Sequence, residues 1–451
     1  MSRSLDRTRI AELHAIEEQR FVELHPRSAA LAAEARGSLL GGVPMAWMTK
    51  WPGSFPVFVD HAAGARCTDV DGHEYIDLCL GDTGAMTGHA LAAVADALAT
   101  QARRGITNML PSNEAVWVGG ELARRFGLPY WQMAMTATDA NRFVLRFCRS
   151  ITGRRKVLVF DWCYHGSVDE ALVTMDADGA TIARPGSIGP ACDPAVTTVV
   201  VPFNDLDALR EALATGEIAC VLAEPALTNI GIVLPDPGFH AELRRLTREA
   251  GTLLVMDETH TICVGPGGAT AAWGLQPDFL VIGKTIGGGM PAAAYGLTAE
   301  MAGALHQSMY DGGIDVSGVG GTLTGNALAL AAVRATLSSA LGPDDFAVMI
   351  PLATAWTEGV RCVIQRFDLA WHVQQLGARA EYWFCPPPRD GAAAAAAIDA
   401  DLDAFMHLWA LNRGILLTPF HNMALFSPHH RLSDVERHTE VFTAAVSALV
   451  G

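Results

Sequence analysis

The sequence predicts an α/β protein built on a largely parallel sheet, and three observations carry that expectation. Seven short apolar runs fall at 132–136, 156–160, 197–201, 219–223, 252–256, 279–282 and 294–297. Helical patterns at 138–150, 205–214 and 239–250 separate several of them. The runs are largely apolar rather than alternating, as strands covered on both faces are. Sheets of this kind place ligand sites beyond the carboxyl ends of their strands.

Taken in order, residues 1–36 read as one or two amphipathic helices, charged and without the apolar stretch of a signal peptide. Residues 37–81 read as a loop followed by a small antiparallel sheet, with "DVDGHEY" marking a hairpin at Asp71-Gly72. The stretch 175–195, rich in Gly, Ala and Pro, is too long for a routine connection and reads as a mobile or functional loop. From about 330 the pattern turns to a long Ala/Leu helix; "CPPPRDGAAAAAAIDA" reads as a surface loop, and a helix closes the chain. With 451 residues the chain is long enough for two domains. The predicted divisions are 1–75, an N-terminal helix and small-sheet segment; 76–330, a large α/β domain; and 331–451, a smaller α+β domain.

Composition narrows the partners. The balance of 32 basic to 48 acidic residues, a net charge of −16, argues against nucleic acid and against an anionic membrane surface. No uncharged apolar run reaches a membrane-spanning pattern. The nine cysteines are scattered without a CxxC pair, which suits reduced thiols in a cytoplasmic protein. His429 and His430 are adjacent but lack an organised set of further ligands, so no metal is expected.

The chain has three lysines, Lys50, Lys156 and Lys284. Lys284 stands in "DFLVIGKTIGGGMP", where a strand should end, with Gly287, Gly288 and Gly289 allowing close backbone approach. Asp257 ends the earlier strand "TLLVMD". An amine able to form a Schiff base and a buried carboxylate seeking a cationic partner are what pyridoxal 5'-phosphate requires. Further parts fit in order. Thr136, Ala137 and Thr138 open a helix after a strand and suit a phosphate, although plain N-capping uses the same residues. Tyr164 follows the strand 156–160 and could stack on a planar ring; Glu224 ends "CVLAE" as a supporting acid. Thr322 follows a Gly-Gly pair before a helix and suits an anion, whether of this chain or of a neighbouring subunit.

As a set, "GGV" at 41–43, "DVDGHEYID", "TGHALAAVADAL", "YHG", "AEP", "DET", "GKTIGGG" and "GGTLTGN" resemble the class III aminotransferases, enzymes of fold type I that use pyridoxal 5'-phosphate. The resemblance runs from about residue 40 to the C-terminus and is nearest the branch of glutamate-1-semialdehyde aminomutase and the β-amino-acid transaminases. It implies a seven-stranded, mainly parallel sheet and a homodimer with shared active sites, and leaves open a tetramer. It implies Lys284 as the Schiff-base lysine and proton shuttle, Asp257 on the pyridine nitrogen and Tyr164 on the ring. Ala137 and Thr138 match the phosphate turn, Thr259 matches the residue under the other ring face, and Thr322 matches the threonine that reaches the partner's phosphate.

The sequence also departs from the family. Ala137 replaces a glycine, and Thr259 and His260 replace the usual residues after Asp-Glu; His260 lies near enough to the ring to affect substrate choice. After "GGV", aminomutase-like relatives carry an arginine that clamps the substrate carboxylate. Here the stretch is Pro44, Met45, Ala46, Trp47 and Met48, and Met423 stands near the place of the aminomutase glutamate. Losing a bidentate clamp argues against glutamate-1-semialdehyde as substrate. Met45, Trp47 and Met48 would instead line a pocket for a bulky apolar group, with Lys50 a weaker, non-bidentate anchor. The expected activity is ping-pong transfer of an amino group from an amine or amino acid to a keto acid or aldehyde. An aminomutase, racemase or lyase reaction is the alternative, and a non-catalytic relative a remote one.

Overall fold

The computed structural model describes residues 5–309 and 318–451. Residues 1–4 of the predicted N-terminal helix and Ser317 of the glycine-rich motif lie outside them. The chain divides into two compact units, one of 92–343 with 388–396, the other of 1–91, 344–387 and 397–451.

The first unit holds the large sheet. Its strands are β1 (Tyr130–Ala134), β2 (Lys156–Phe160), β3 (Thr198–Val201), β4 (Ile218–Ala223), β5 (Leu253–Asp257), β6 (Phe279–Ile282) and β7 (Ala293–Leu297). The sheet order is β1-β7-β6-β5-β4-β2-β3. All seven predicted runs are strands, displaced by at most two residues. β2 to β6 pair in parallel, while β7 runs antiparallel to both β6 and β1. β4 is buried at every position, as a strand covered on both faces must be.

The helix α1 (Ala137–Thr152) follows β1. Thr136 caps it: its hydroxyl accepts the Asp139 N–H at 3.2 Å and donates to Asp139 Oδ2 at 2.9 Å. Phe143, Val144, Phe147 and Cys148 form its buried face. The predicted loop 175–195 contains regular structure at its start. Val173–Met175 and Thr181–Ala183 pair as a hairpin, and Asp176 closes its turn by accepting the Asp178 and Ala180 N–H groups. The glycine and alanine content hid two strands of only three residues each. Likewise "CPPPRDGAAAAAAIDA" holds a short helix, Gly391–Ala395, capped by Asp390.

In the second unit, helices Arg7–Leu24 and Pro26–Ala35 precede the small sheet of Val59–Ala63, Arg66–Asp69 and Glu74–Asp77, with the turn at Asp71-Gly72 as predicted. Ile415–Leu416 adds a parallel strand to it. A second sheet joins His372–Leu376, Arg379–Trp383 and Met423–Leu425, the last with Met423 fully buried. Among the described residues one helix, Pro343–Arg366, is long and apolar enough to cross a membrane. It buries Phe346, Met349, Ala353, Trp356, Val360 and Val363 at helical spacing, as a core helix does. His25, Asp69 and His73 also gather here, their ligand-type atoms within 4.8 Å of one another. Hydrogen bonds tie the group together: Tyr75 donates to Asp69 at 2.7 Å, and His25 lies 2.9 Å from Tyr75 and 2.7 Å from the Phe21 carbonyl.

Several histidines of this unit are buried and held neutral by it. Burial pushes His407 and His430 down to about 4 and His438 to about 3. His430 is fixed between the Ser427 N–H and the Asp77 carbonyl, and His438 packs against Trp356 and Phe442. Their folded values lie below an unfolded value of about 6.5, so their contribution is present above pH ~6.5 and is lost as pH falls. Asp403 works the other way: burial raises it to about 6, so acidification restores what His407 removes. His430 and His438 remain uncompensated, at about 2 kcal/mol each between pH ~6.5 and ~5. Urea titration at those two pH values is expected to show this loss, and His438→Phe to remove its share. An unchanged midpoint would rule the account out.

Candidate active site

The carboxyl ends of β1, β2, β4, β5 and β6 bring most of the candidate residues together. Asp257 closes β5 with 4% of its surface exposed. Its Oδ2 accepts Asn141 Nδ2 at 2.9 Å and lies 3.0 Å from His165 Nδ1, and its Oδ1 accepts the Thr259 N–H at 3.1 Å. Burial alone would raise this carboxyl. The hydrogen bond and charge of His165, with Thr259 and Asn141, outweigh it and hold Asp257 at about 2. Burial opposes a charge on His165, but Cys163 and Asp257 push it up to about 10. The 3.0 Å contact between Asp257 Oδ2 and His165 Nδ1 favours a carboxylate on the one and a proton on the other.

Glu224 directly follows β4, is buried, and accepts the Tyr164 N–H at 3.3 Å and the Thr228 hydroxyl. Burial raises its carboxyl. It acts on the backbone that carries Tyr164, which is half-buried in the segment after β2.

β6 ends at Ile282, and Lys284 opens the short turn Lys284–Gly287. Its φ of 52° is left-handed, a conformation costing a non-glycine residue of order 1 kcal/mol and found where a site holds a side chain in place. Lys284 Nζ lies 2.7 Å from His260 Nε2.

At the start of α1 the structure amends the phosphate prediction. The hydroxyl of Thr136 is engaged in capping, as given above. The backbone N–H groups of Ala137 and Thr138 make no hydrogen bond within the described residues. The methyl of Ala137 lies beside Gly283, where a Cβ would meet it at 3.0 Å. Thr138 Oγ1 accepts the Ser167 N–H at 3.1 Å. Gly166, at φ +77°, approaches Thr138 so closely that any Cβ would overlap its hydroxyl. Thr259 is buried, and its Oγ1 has no hydrogen-bond partner among the described residues.

Thr322 is exposed, in a turn rather than at a helix start; Asn326 caps the helix Ala327–Ser339. Met45, Trp47, Met48 and Lys50 belong to the other unit, within or beside the short helix Ala46–Lys50. There Trp47 meets Phe420 edge-on at 5.6 Å, and Pro44 and Met48 line an apolar cavity of about 380 Å³ with Trp51, Phe58 and Leu416. Sequence reading missed Asn141 and His165. Asn141 had one signal, an amide on the apolar face of a helix; His165 had only its place next to Tyr164.

A family model described as aminotransferase class-III matches residues 47–344. A glutamate-1-semialdehyde 2,1-aminomutase from Chloroflexus aggregans is 35% identical over 440 residues, covering 92% of this chain and 96% of that protein. The crystal structure of a glutamate-1-semialdehyde-aminomutase from Pseudomonas aeruginosa PAO1 in complex with PMP superimposes with a TM-score of 0.97 at 50% identity, covering 99% of each chain. An omega-transaminase from Sphaerobacter thermophilus follows at a TM-score of 0.84 and 27% identity, covering 94% of this chain and 98% of its own.

Proposed function

The chain belongs to the class-III aminotransferases, whose cofactor is pyridoxal 5'-phosphate, and from that premise we propose that it moves an amino group between two carbons of one small substrate, as an aminomutase does. The carrying observation is the 50% identity over 99% of both chains to the Pseudomonas protein named an aminomutase. This replaces ping-pong transfer, expected from the sequence, as the first reading.

The residues present fit the cofactor. A buried carboxylate, a lysine held in a left-handed turn, unpaired N–H groups at a helix start and an orphaned buried hydroxyl at Thr259 face one strand-end cluster. Pyridoxal phosphate, when bound, supplies an aldehyde that takes up an amine and a ring that draws electrons from the amine-bearing carbon. Asp257 would hold a protonated ring nitrogen, and that cation would relieve His165 of its role as counter-ion. Thr136, Ala137 and Thr138 would hold the phosphate through backbone N–H groups, with Thr322 of a second copy completing it. Tyr164 and Thr259 would bracket the ring, with Glu224 fixing the Tyr164 loop. Lys284 Nζ would bond the cofactor and, once displaced, take the proton from the amine-bearing carbon and return it.

The dimer is part of this reading. Ile106, Met109, Leu110 and Val116 are 45–83% exposed on one stretch, which suits a second copy. So is a cytoplasmic location.

A second reading, transamination of an amine or amino acid with a bulky apolar group to a keto acid or aldehyde, is favoured by one observation. Pro44–Met48 offers no guanidinium where relatives clamp a carboxylate, and Met45, Trp47, Met48 and Lys50 are its proposed substrate contacts. The holoenzyme, given 2-amino aldehydes with and without a carboxylate, is expected to release positional isomers over many turnovers with no acceptor. Stopping after one turnover, with recovery on adding a keto acid, would establish transamination instead.

A further inference from the structure

His260 and Lys284 lie 24 residues apart, each half-buried, with Nε2 and Nζ 2.7 Å apart. At that separation two cations repel strongly. A single shared proton satisfies both nitrogens: an ammonium donating to a neutral imidazole, or an imidazolium donating to a neutral amine. We propose that His260 is the proton-holding partner of Lys284, taking the proton that Nζ must lose before it acts as a nucleophile or base. The transfer is balanced within the pair. One N–H bond on Nζ breaks, one N–H bond on Nε2 forms, and the positive charge moves from lysine to histidine.

Three carboxylates of the strand-end cluster are engaged by other groups. Asp257 is occupied by His165, Asn141 and the Thr259 N–H. Glu258 turns away: its carboxylate takes the Thr261 hydroxyl at 2.6 Å and the Ala269 and Thr270 N–H groups. Glu224 is held by Thr228 and the Tyr164 N–H. An imidazole here has a consequence that an amide or thioether lacks, because it can hold the proton and give it back. His260 acts through Lys284 and is a positioning residue.

This rests on Lys284 being the cofactor lysine, and the test separates the two claims. Borohydride reduction of the holoenzyme first asks whether the cofactor is trapped on the Lys284 peptide; no adduct overturns both. Holoenzyme carrying pyridoxamine 5'-phosphate, in which Nζ is unbonded, is then pulse-labelled with acetic anhydride from about pH 5 to about pH 11. Acetylation of Lys284 is read by peptide mass spectrometry, with Lys50 and Lys156 as internal references. The expected profile for Lys284 rises in two steps, the first below the ordinary lysine range. In His260→Gln, which keeps a hydrogen-bonding group but holds no proton, it collapses to one step, and labelling at pH ~7 falls about tenfold. A single step in the wild-type protein, or two unchanged steps in His260→Gln, overturns the proposal. Because the wild-type profile decides by itself, misfolding of the variant does not rescue it, and a variant that only lowers the melting temperature while keeping two steps marks His260 as structural.

Discussion

Lys284→Ala is expected to lower turnover by about 10⁴-fold or more while leaving the fold intact. The side chain is only half-buried, and its loss opens no core cavity. Lys284→Arg is expected to be equally inactive, because a guanidinium stays charged at any working pH and cannot deliver a neutral nitrogen. Lys284→Gly should also lose activity yet gain thermal stability, since glycine accepts φ 52° without strain worth about 1 kcal/mol. Turnover and melting temperature measured on the three variants test this together. Substantial activity in any of them would remove Lys284 from its role.

Asp257→Asn carries the second large effect. The amide can still accept the Thr259 N–H, but the charge opposite His165 and opposite a cofactor cation is gone. Cofactor affinity is expected to fall about 100-fold, close to 3 kcal/mol, and the apoprotein to lose a similar amount, because breaking a buried pair strands its partner. The pair also sets two pH limits for the apoprotein. The depressed Asp257 value, about 2, keeps its contribution above the ordinary carboxylate range and loses it as pH falls through that value. The raised His165 value, about 10, keeps its contribution below the ordinary histidine range and loses it as pH rises through that value. Wild-type apoprotein should therefore weaken on the alkaline side, and Asp257→Asn should not show that weakening. Cofactor titration by visible absorption and urea midpoints at neutral and alkaline pH check both statements. Equal alkaline slopes would sever His165 from Asp257.

Much of this arrangement was legible in the order of residues, and the physics says which part. Apolar runs such as Ile218–Ala223 announce a strand buried on both faces, and Asp257 or Lys284 at the end of such a run announces a site. The direction of Ala293–Leu297 was not legible, because an apolar strand looks the same parallel or antiparallel. The hairpin at 173–183 was hidden by strands too short for a periodic signal. The hydroxyl of Thr136 was read as a ligand group, yet capping by a threonine serves the helix first. The pairings of Asp257 with His165 and Asn141 span 92 and 116 residues, distances over which no local pattern speaks. His260 was noticed, but that it meets Lys284 is a property of two strand ends brought side by side.

The turn after β2 leaves its mark on how this protein can change. At Gly166 the backbone is left-handed and the space for a first carbon is already filled by Thr138. A library randomised at this position should therefore return glycine almost alone, whatever activity is selected. Met45, Trp47 and Met48, 37–45% exposed, should by contrast accept many residues.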